Sequence, residues 1–400
     1  MNRFIPGGLI AALAAAGATS AALLQGKGAL EPVIEPASHQ FRKVVVNEKS
    51  DFEAACAADI DGDGRLDIVS GDTWYQAPGW APHRFREISV WGRGPGSSGY
   101  RGSFAELPYD VNGDHRTDIV SSDYATGEIF WHENPGPSGE GLWTRHSIAK
   151  PGSAETSVVA PIAGRGTRDI LPNVAGKVVW YELRDPGPRH RWIEHAVGSQ
   201  GAGHGIGHGD VDGDGRTDLI TPTGWWRNID APNDRWEWRP EVACKPGDLG
   251  ISTPVHDFDG DGDNDIVFGS GHQYGLYWLR NLGDGKWEQL PIDTTASQFH
   301  ALSLIRFDRR GEPMVLTGKR YLAHDHDPGA EEPLALLAYR YDRKAKAWRK
   351  QVLDTGTTVG TGLLLGTADL RRTGRIDVIA PGKSGLYLFE NLGRAPKTAR

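Results

Sequence analysis

The apolar residues of this 400-residue chain fall into short β-rich runs separated by polar, glycine-rich turns. One grouping recurs: a short apolar run, a turn, an aromatic run such as "GLYWLRN" or "VVWYEL", and a last run such as "KWEQLPID" or "AWRKQVLD". Four short strands per unit, repeated, predict the blades of a β-propeller. An aspartate-rich element marks each unit. It reads "DIDGDGRLDIV" from Asp59, "DVNGDHRTDIV" from Asp110, "DVDGDGRTDLI" from Asp210 and "DFDGDGDNDIV" from Asp257. A worn copy, "DLRRTGRIDVI", begins at Asp369, and two further degenerate copies begin at Pro161 and Arg306. That makes seven units at intervals of about 50 residues. The run "HQFRKVVVN" from His39 precedes the first unit as an orphan fourth strand, and the seventh unit lacks its own after "GLYLFENLG". Pairing Phe41 to Val46 with Leu386 to Phe389 would close the ring and remove two open edges. The expected fold is therefore all-β: a seven-bladed propeller over residues 38–394, with calcium-binding aspartate loops and a ring closed by an N-terminal strand.

Composition narrows the setting. With 44 basic against 52 acidic residues, a net charge of -8 and no dense Lys/Arg block, nucleic-acid binding is not expected. The two cysteines, Cys56 and Cys244, cannot build a disulfide framework and read as small buried residues. Residues 1–24 carry an early Arg3, an apolar Ala/Leu segment and small residues near Ser20, the pattern of a signal peptide. No other segment is apolar and long enough to span a bilayer, so a periplasmic or extracellular protein is expected, without a membrane span in its mature form.

The aspartate elements have a direct physical reading. Carboxylates at positions 1, 3, 5 and 9 of a tight glycine turn can converge on a hard cation, which suits calcium, and glycine supplies the positive φ that the turn needs. The expected ligands are Asp59, Asp61, Asp63 and Asp67; Asp110, Asn112, Asp114 and Asp118; Asp210, Asp212, Asp214 and Asp218; and Asp257, Asp259, Asp261 and Asp265. These loops would be structural staples. The repeat, on its Asp-x-Asp-Gly-Asp-Gly core, resembles the FG-GAP or VCBS family, and that resemblance implies a seven-bladed propeller and no particular activity.

If the cation loops occupy one face, the start of each first strand and the turn after each second strand lie on the other. Six residues before the first loop position stand Glu53, Phe104, Glu155, His204, Ile251, His300 and Leu363, of which four could bind a metal or move a proton. The turns after the second strands add Asp72, Asp123, His272, Lys319, Arg320, His324, His326 and Lys383. Histidine, carboxylate, lysine and arginine converging on a channel mouth compose an active site. His204, His272 and His300 come from neighbouring blades 4, 5 and 6 and are expected to hold zinc or another divalent transition metal with an open position. His208 and His256 lie nearer the aspartate loops and rank below them. Trp74, Tyr124, Trp225, Tyr274 and Tyr321 offer rings for stacking on a sugar, or else serve blade packing.

The runs "GSGHQYGLYWLRN", "SQFHAL" and "TGKRYLAHDHDPGAEEP" resemble the propeller domain of aldos-2-ulose dehydratase and its bacterial relatives. That resemblance implies a zinc at the bottom of a cleft and dehydration of a keto-sugar. Cupin domains follow the propeller there and are not expected here, so chemistry supplied by them, isomerisation in particular, should be missing. The favoured function is a carbohydrate-active lyase working by metal-assisted β-elimination on a keto-sugar or oxidised glycoside. His324, or Glu155 in second place, would take the proton, Lys319 and Arg320 would steady the oxyanion, and Asp72, Asp123, Tyr274, Tyr321 and Lys383 would bind substrate. The alternatives are a non-catalytic glycan- or protein-binding propeller and a zinc-dependent glycan hydrolase.

Overall fold

Residues 30–91, 99–136, 141–245, 248–320 and 326–396 are described by the computed structural model; the expected signal peptide lies outside them. Seven sheets of four or five strands are arranged as a seven-bladed β-propeller, and a two-stranded ribbon pairs Val90–Trp91 with Tyr100–Arg101. Among the described residues the only helical segment is a 3-10 turn at Ala231–Asn233.

Burial explains why the second strand of each blade carries a short apolar core. Asp67–Ser70, Asp118–Asp123, Asp169–Val174, Asp218–Thr221, Asp265–Gly269, Met314–Lys319 and Asp377–Gly382 are buried at every residue. Each lies in a sheet covered on both faces by its neighbours, so neither face needs polar residues. Outer strands such as Thr144–Ala149 are largely exposed. The core sits between blades: Leu171 and Trp180 of blade 3 pack with Leu219 and Trp226 of blade 4. In the same way Val267 and Trp278 of blade 5 pack with Val315 and Leu337 of blade 6.

The ring closes with strands from both ends of the chain. His39–Asn47 runs antiparallel to Gly385–Arg394, with Lys43 opposite Phe389 and Val44 opposite Leu388. His39 Nε2 also meets Asp308 Oδ2 of blade 6 at 2.9 Å. Ahead of it, Val33–Ile34 adds a parallel fifth strand to the outer edge of blade 6, where Glu35 accepts two 2.7 Å bonds from Arg340. Deleting residues 30–47 should leave Gly385–Arg394 as an open edge, and light scattering should detect aggregation of the truncated protein. A monodisperse truncation with unchanged melting temperature would contradict the closure.

The aspartate elements are the turns between first and second strands. Their glycines need the left-handed region: Gly213 and Gly215 have φ of 76° and 87°. In blade 2 His115 takes the second glycine's place at φ 67°. The ninth-position aspartates clip each hairpin through backbone N–H donors. Asp218 accepts from Asn228 N and Val211 N at 2.8 Å each, and Asp67, Asp118 and Asp265 do the same. Asp169 and Asp377 keep this clip in two worn units. In blade 7 the Arg371 guanidinium, 2.9 Å from Asp377, sits where the intact loops gather carboxylates.

Candidate metal centre

At the end of the propeller opposite the aspartate loops, four side chains from four blades meet. Glu155 starts the first strand of blade 3, His204 precedes that of blade 4, and His300 starts that of blade 6. His272 stands in the turn after the second strand of blade 5. One ligand atom from each lies within 4.8 Å of all the others. The imidazoles meet nearly edge to face: His204 and His272 rings are 4.3 Å apart at 66°, and His204 and His300 rings 5.0 Å apart at 89°.

The polar atoms here fit a cation. Glu155 Oε2 is 2.6 Å from His204 Nε2, and Glu155 Oε1 is 3.1 Å from His300 Nε2. These separations are short, yet the directions are wrong for hydrogen bonds: neither His204 Nε2 nor either nitrogen of the fully buried His300 makes one among the described residues. Both His204 Nδ1 and the Leu249 carbonyl, 3.0 Å apart, need a proton between them, which leaves Nε2 as an acceptor facing a carboxylate. Two acceptors so close require a shared positive charge. In the ion-free protein a proton supplies it. Burial disfavours charge on His204, but Glu155 and Asp248 outweigh burial and hold its pKa well above the usual value. Burial also pushes the Glu155 carboxyl up, and the imidazoles of His204 and His300 outweigh that and hold it well down. Burial, then Arg320, push His300 down to about 3. A divalent ion bound by three imidazoles and one carboxylate would take the proton's place.

Around this cluster the structure departs from several expectations. Glu155 is tied to two imidazoles and to Arg320, which displaces it from the role of base. Arg320 is only 1% exposed and spans the channel, with Nε 2.8 Å from Glu53 Oε1 and Nη1 3.2 Å from Glu155 Oε1. Lys319 is equally buried and donates to the Gly329 carbonyl at 2.5 Å. Both cations are engaged by the fold, so neither is presented to an oxyanion. Lys383 Nζ lies 3.9 Å from Glu53 Oε2 and 4.1 Å above the Tyr100 ring. Tyr100 belongs to an aromatic group with Phe104, Trp91 and Tyr124, in which Trp91 and Tyr124 stack at 5.3 Å. His324 and Tyr321 lie outside the described residues.

The remaining candidates have local roles. Trp74 and Trp225 are buried in blade cores, the former stacked on His83 at 4.2 Å. Tyr274 donates to Glu332 at 2.5 Å. Asp123 accepts from the Ala125 backbone within its own turn, and Asp72 from Thr73. Neither His208 nor His256 joins the cluster; burial pushes His208 down to about 4.

At the aspartate loops, positions 1, 3 and 9 converge in three blades: Asp59, Asp61 and Asp67; Asp210, Asp212 and Asp218; Asp257, Asp259 and Asp265. Burial and neighbouring carboxylates push Asp67 up to about 6 and Asp118, Asp218 and Asp265 up to about 7. A bound cation would relieve that crowding. Position 5 differs from the expectation, since Asp63, Asp114, Asp214 and Asp261 turn to Arg65, Arg116, Arg216 and Arg280. In blade 2 Asn112 Nδ2 bonds Glu133 Oε1 at 3.1 Å.

Residues that the sequence reading did not assign also stand here. Glu53 occupies one of the seven aligned positions, so its signal was present. Asp248 and Asp327 lie in loops outside the repeat register, where periodicity gives no signal. Asp327 Oδ2 is buried and makes no hydrogen bond among the described residues, and burial pushes its carboxyl up.

Residues 257–317 match the FG-GAP-like repeat. No curated protein matches the sequence. Among solved structures, similar folds include an Agrocybe aegerita lectin recognising non-reducing terminal N-acetylglucosamine, at 15% identity over 79% of this chain and 80% of that one, TM-score 0.46. A Bacillus licheniformis rhamnogalacturonan lyase is similar at 14% identity over 91% and 75%, TM-score 0.46. A Lactobacillus plantarum protein is similar at 11% identity over 78% and 86%, TM-score 0.46. Likeness at this level is one of fold and says nothing of what this chain binds.

Proposed function

We propose that this seven-bladed propeller with its FG-GAP-like repeat is a secreted or periplasmic, metal-dependent carbohydrate lyase. Its substrate would be a keto-sugar or oxidised glycoside. The observation that carries the reading is the convergence of Glu155, His204, His272 and His300, with a carboxylate oxygen and an imidazole nitrogen 2.6 Å apart. A divalent ion held by these four would polarise a carbonyl entering as a fifth ligand and stabilise an enolate. The described residue best suited to take the proton beside that carbonyl is Asp327, whose buried Oδ2 makes no hydrogen bond and whose carboxyl is made more basic by burial. Arg320, itself paired with Glu53, meets Glu155 at 3.2 Å and helps hold it in place. The aromatic group of Trp91, Tyr100, Phe104 and Tyr124 offers apolar ring faces beside Lys383. Calcium at the aspartate loops would staple the blades.

One observation favours a second reading. Four protein ligands complete a tetrahedral shell, the arrangement of structural zinc, and the propeller would then be a glycan- or protein-binding module riveted across four blades. Incubating the metal-loaded protein with 1,5-anhydrofructose and related keto-sugars separates the two. The lyase reading expects ultraviolet enone absorbance to rise, to stop on chelation, and to fall about 100-fold or more in Asp327→Asn. Metal-loaded protein that binds such sugars unchanged supports the binding module, and release of a sugar from an oxidised glycoside, without new absorbance, supports a hydrolase.

A further inference from the structure

The three imidazoles of the cluster are not held alike. His300 has no hydrogen bond at either nitrogen among the described residues. The other two share one support, Asp248, which lies in the connection between Arg235–Arg239 and Val255–His256. Its Oδ1 is 2.8 Å from His204 Nδ1 and 3.3 Å from His272 Nδ1. Its Oδ2 accepts from the His272 backbone N–H at 2.6 Å and from Ser270 Oγ at 3.4 Å. The carboxylate is thus fixed by the very turn that carries one of the two rings, and its free oxygen faces both.

From this geometry we infer that Asp248 is the positioning residue of the metal centre, orienting the rings of His204 and His272 together and placing one negative charge beside both Nδ1 atoms, with the Leu249 carbonyl sharing the His204 proton. The inference rests on the metal-centre reading above. A carboxylate only accepts, so on His272 the Nδ1 facing it carries the proton, and on His204 the Nδ1 proton lies between Asp248 Oδ1 and the Leu249 carbonyl, 3.0 Å away. Each neutral ring then offers Nε2 for ligation, on the side of Glu155 for His204. The negative charge also makes both imidazoles stronger electron donors, and loss of such outer support costs about 10–100-fold in metal affinity. One side chain serving two ligands from adjacent blades also couples them: a shift of the blade 4 to blade 5 connection moves both rings at once. His300, positioned by burial in the first strand of blade 6, is independent of it.

The test uses the full chain loaded with zinc or cobalt(II). Asp248→Ala should weaken zinc binding, measured against a chromophoric chelator, by about 10–100-fold. Asp248→Asn, which keeps an acceptor but not the charge, should recover part of that loss. The cobalt d–d spectrum should shift in both, while a purely structural role would alter melting temperature and leave the spectrum of bound cobalt unchanged. Should the variants not fold, ¹⁵N shifts of the wild-type zinc protein still decide: His204 and His272 should show protonated Nδ1 and ligating Nε2. Unchanged zinc affinity and cobalt spectrum in both variants, or Nδ1 ligation by either ring, overturns the role of Asp248 and leaves the metal centre standing. A wild type that binds no zinc overturns both.

Discussion

Replacing Arg320 by alanine should cost about 3–5 kcal/mol of stability, the penalty for removing one partner of a buried charge pair. The guanidinium and Glu53 are 1% and 4% exposed, and Arg320 also neutralises Glu155 across the channel. Without it two carboxylates from blades 1 and 3 would stay in a region water reaches poorly. Removing both charges together, as Arg320→Met with Glu53→Gln, should cost less than Arg320→Ala alone, because no charge is stranded at Glu53. Urea denaturation of the three proteins gives the comparison. A loss under about 1 kcal/mol for Arg320→Ala would show the pair to be solvated and the account of the channel to be wrong.

Alanine at His204 or at His300 should release a metal bound by the channel cluster and leave any calcium at the aspartate loops in place. Two imidazoles and a carboxylate hold zinc far more weakly than three and a carboxylate, and the loss should exceed the roughly 10–100-fold caused by removing an outer hydrogen bond. Turnover of a keto-sugar should fall with metal content in both variants. The aspartate loops stand at the other end of the strands, so Asp214→Ala should leave that turnover largely intact. Retained zinc in both histidine variants would mean that the rings merely pack against Glu155.

The fold was legible because its cause is repetitive. Most aspartate turns carry glycine at positive φ, and each second strand is buried along its length around a short apolar core, so both recur with the blade. The ninth-position aspartates of the worn units, Asp169 and Asp377, persist for the same hairpin clip even where Ala163 and Arg371 replace the third-position carboxylate. Counting from those turns also placed His204, Glu155 and His300 at one end of the channel. The roles were harder to read. Glu155 was expected as a base in second place to His324, because spacing gives a position and not the imidazoles that surround it. Lys319 and Arg320 share a motif with the channel turn, but strand burial turns them inward to Gly329 and Glu53. Asp248 was invisible, since it acts from an interblade connection with no counterpart in the repeat.

X-ray absorption at the edge of the bound metal tests the central claim most directly. A centre built from Glu155, His204, His272 and His300 should give a first shell of nitrogen and oxygen with the multiple scattering of three imidazoles, falling to two in His300→Ala when excess metal refills its weakened site. A first shell of oxygen alone, or imidazole scattering that is the same in wild type and variant, would contradict it.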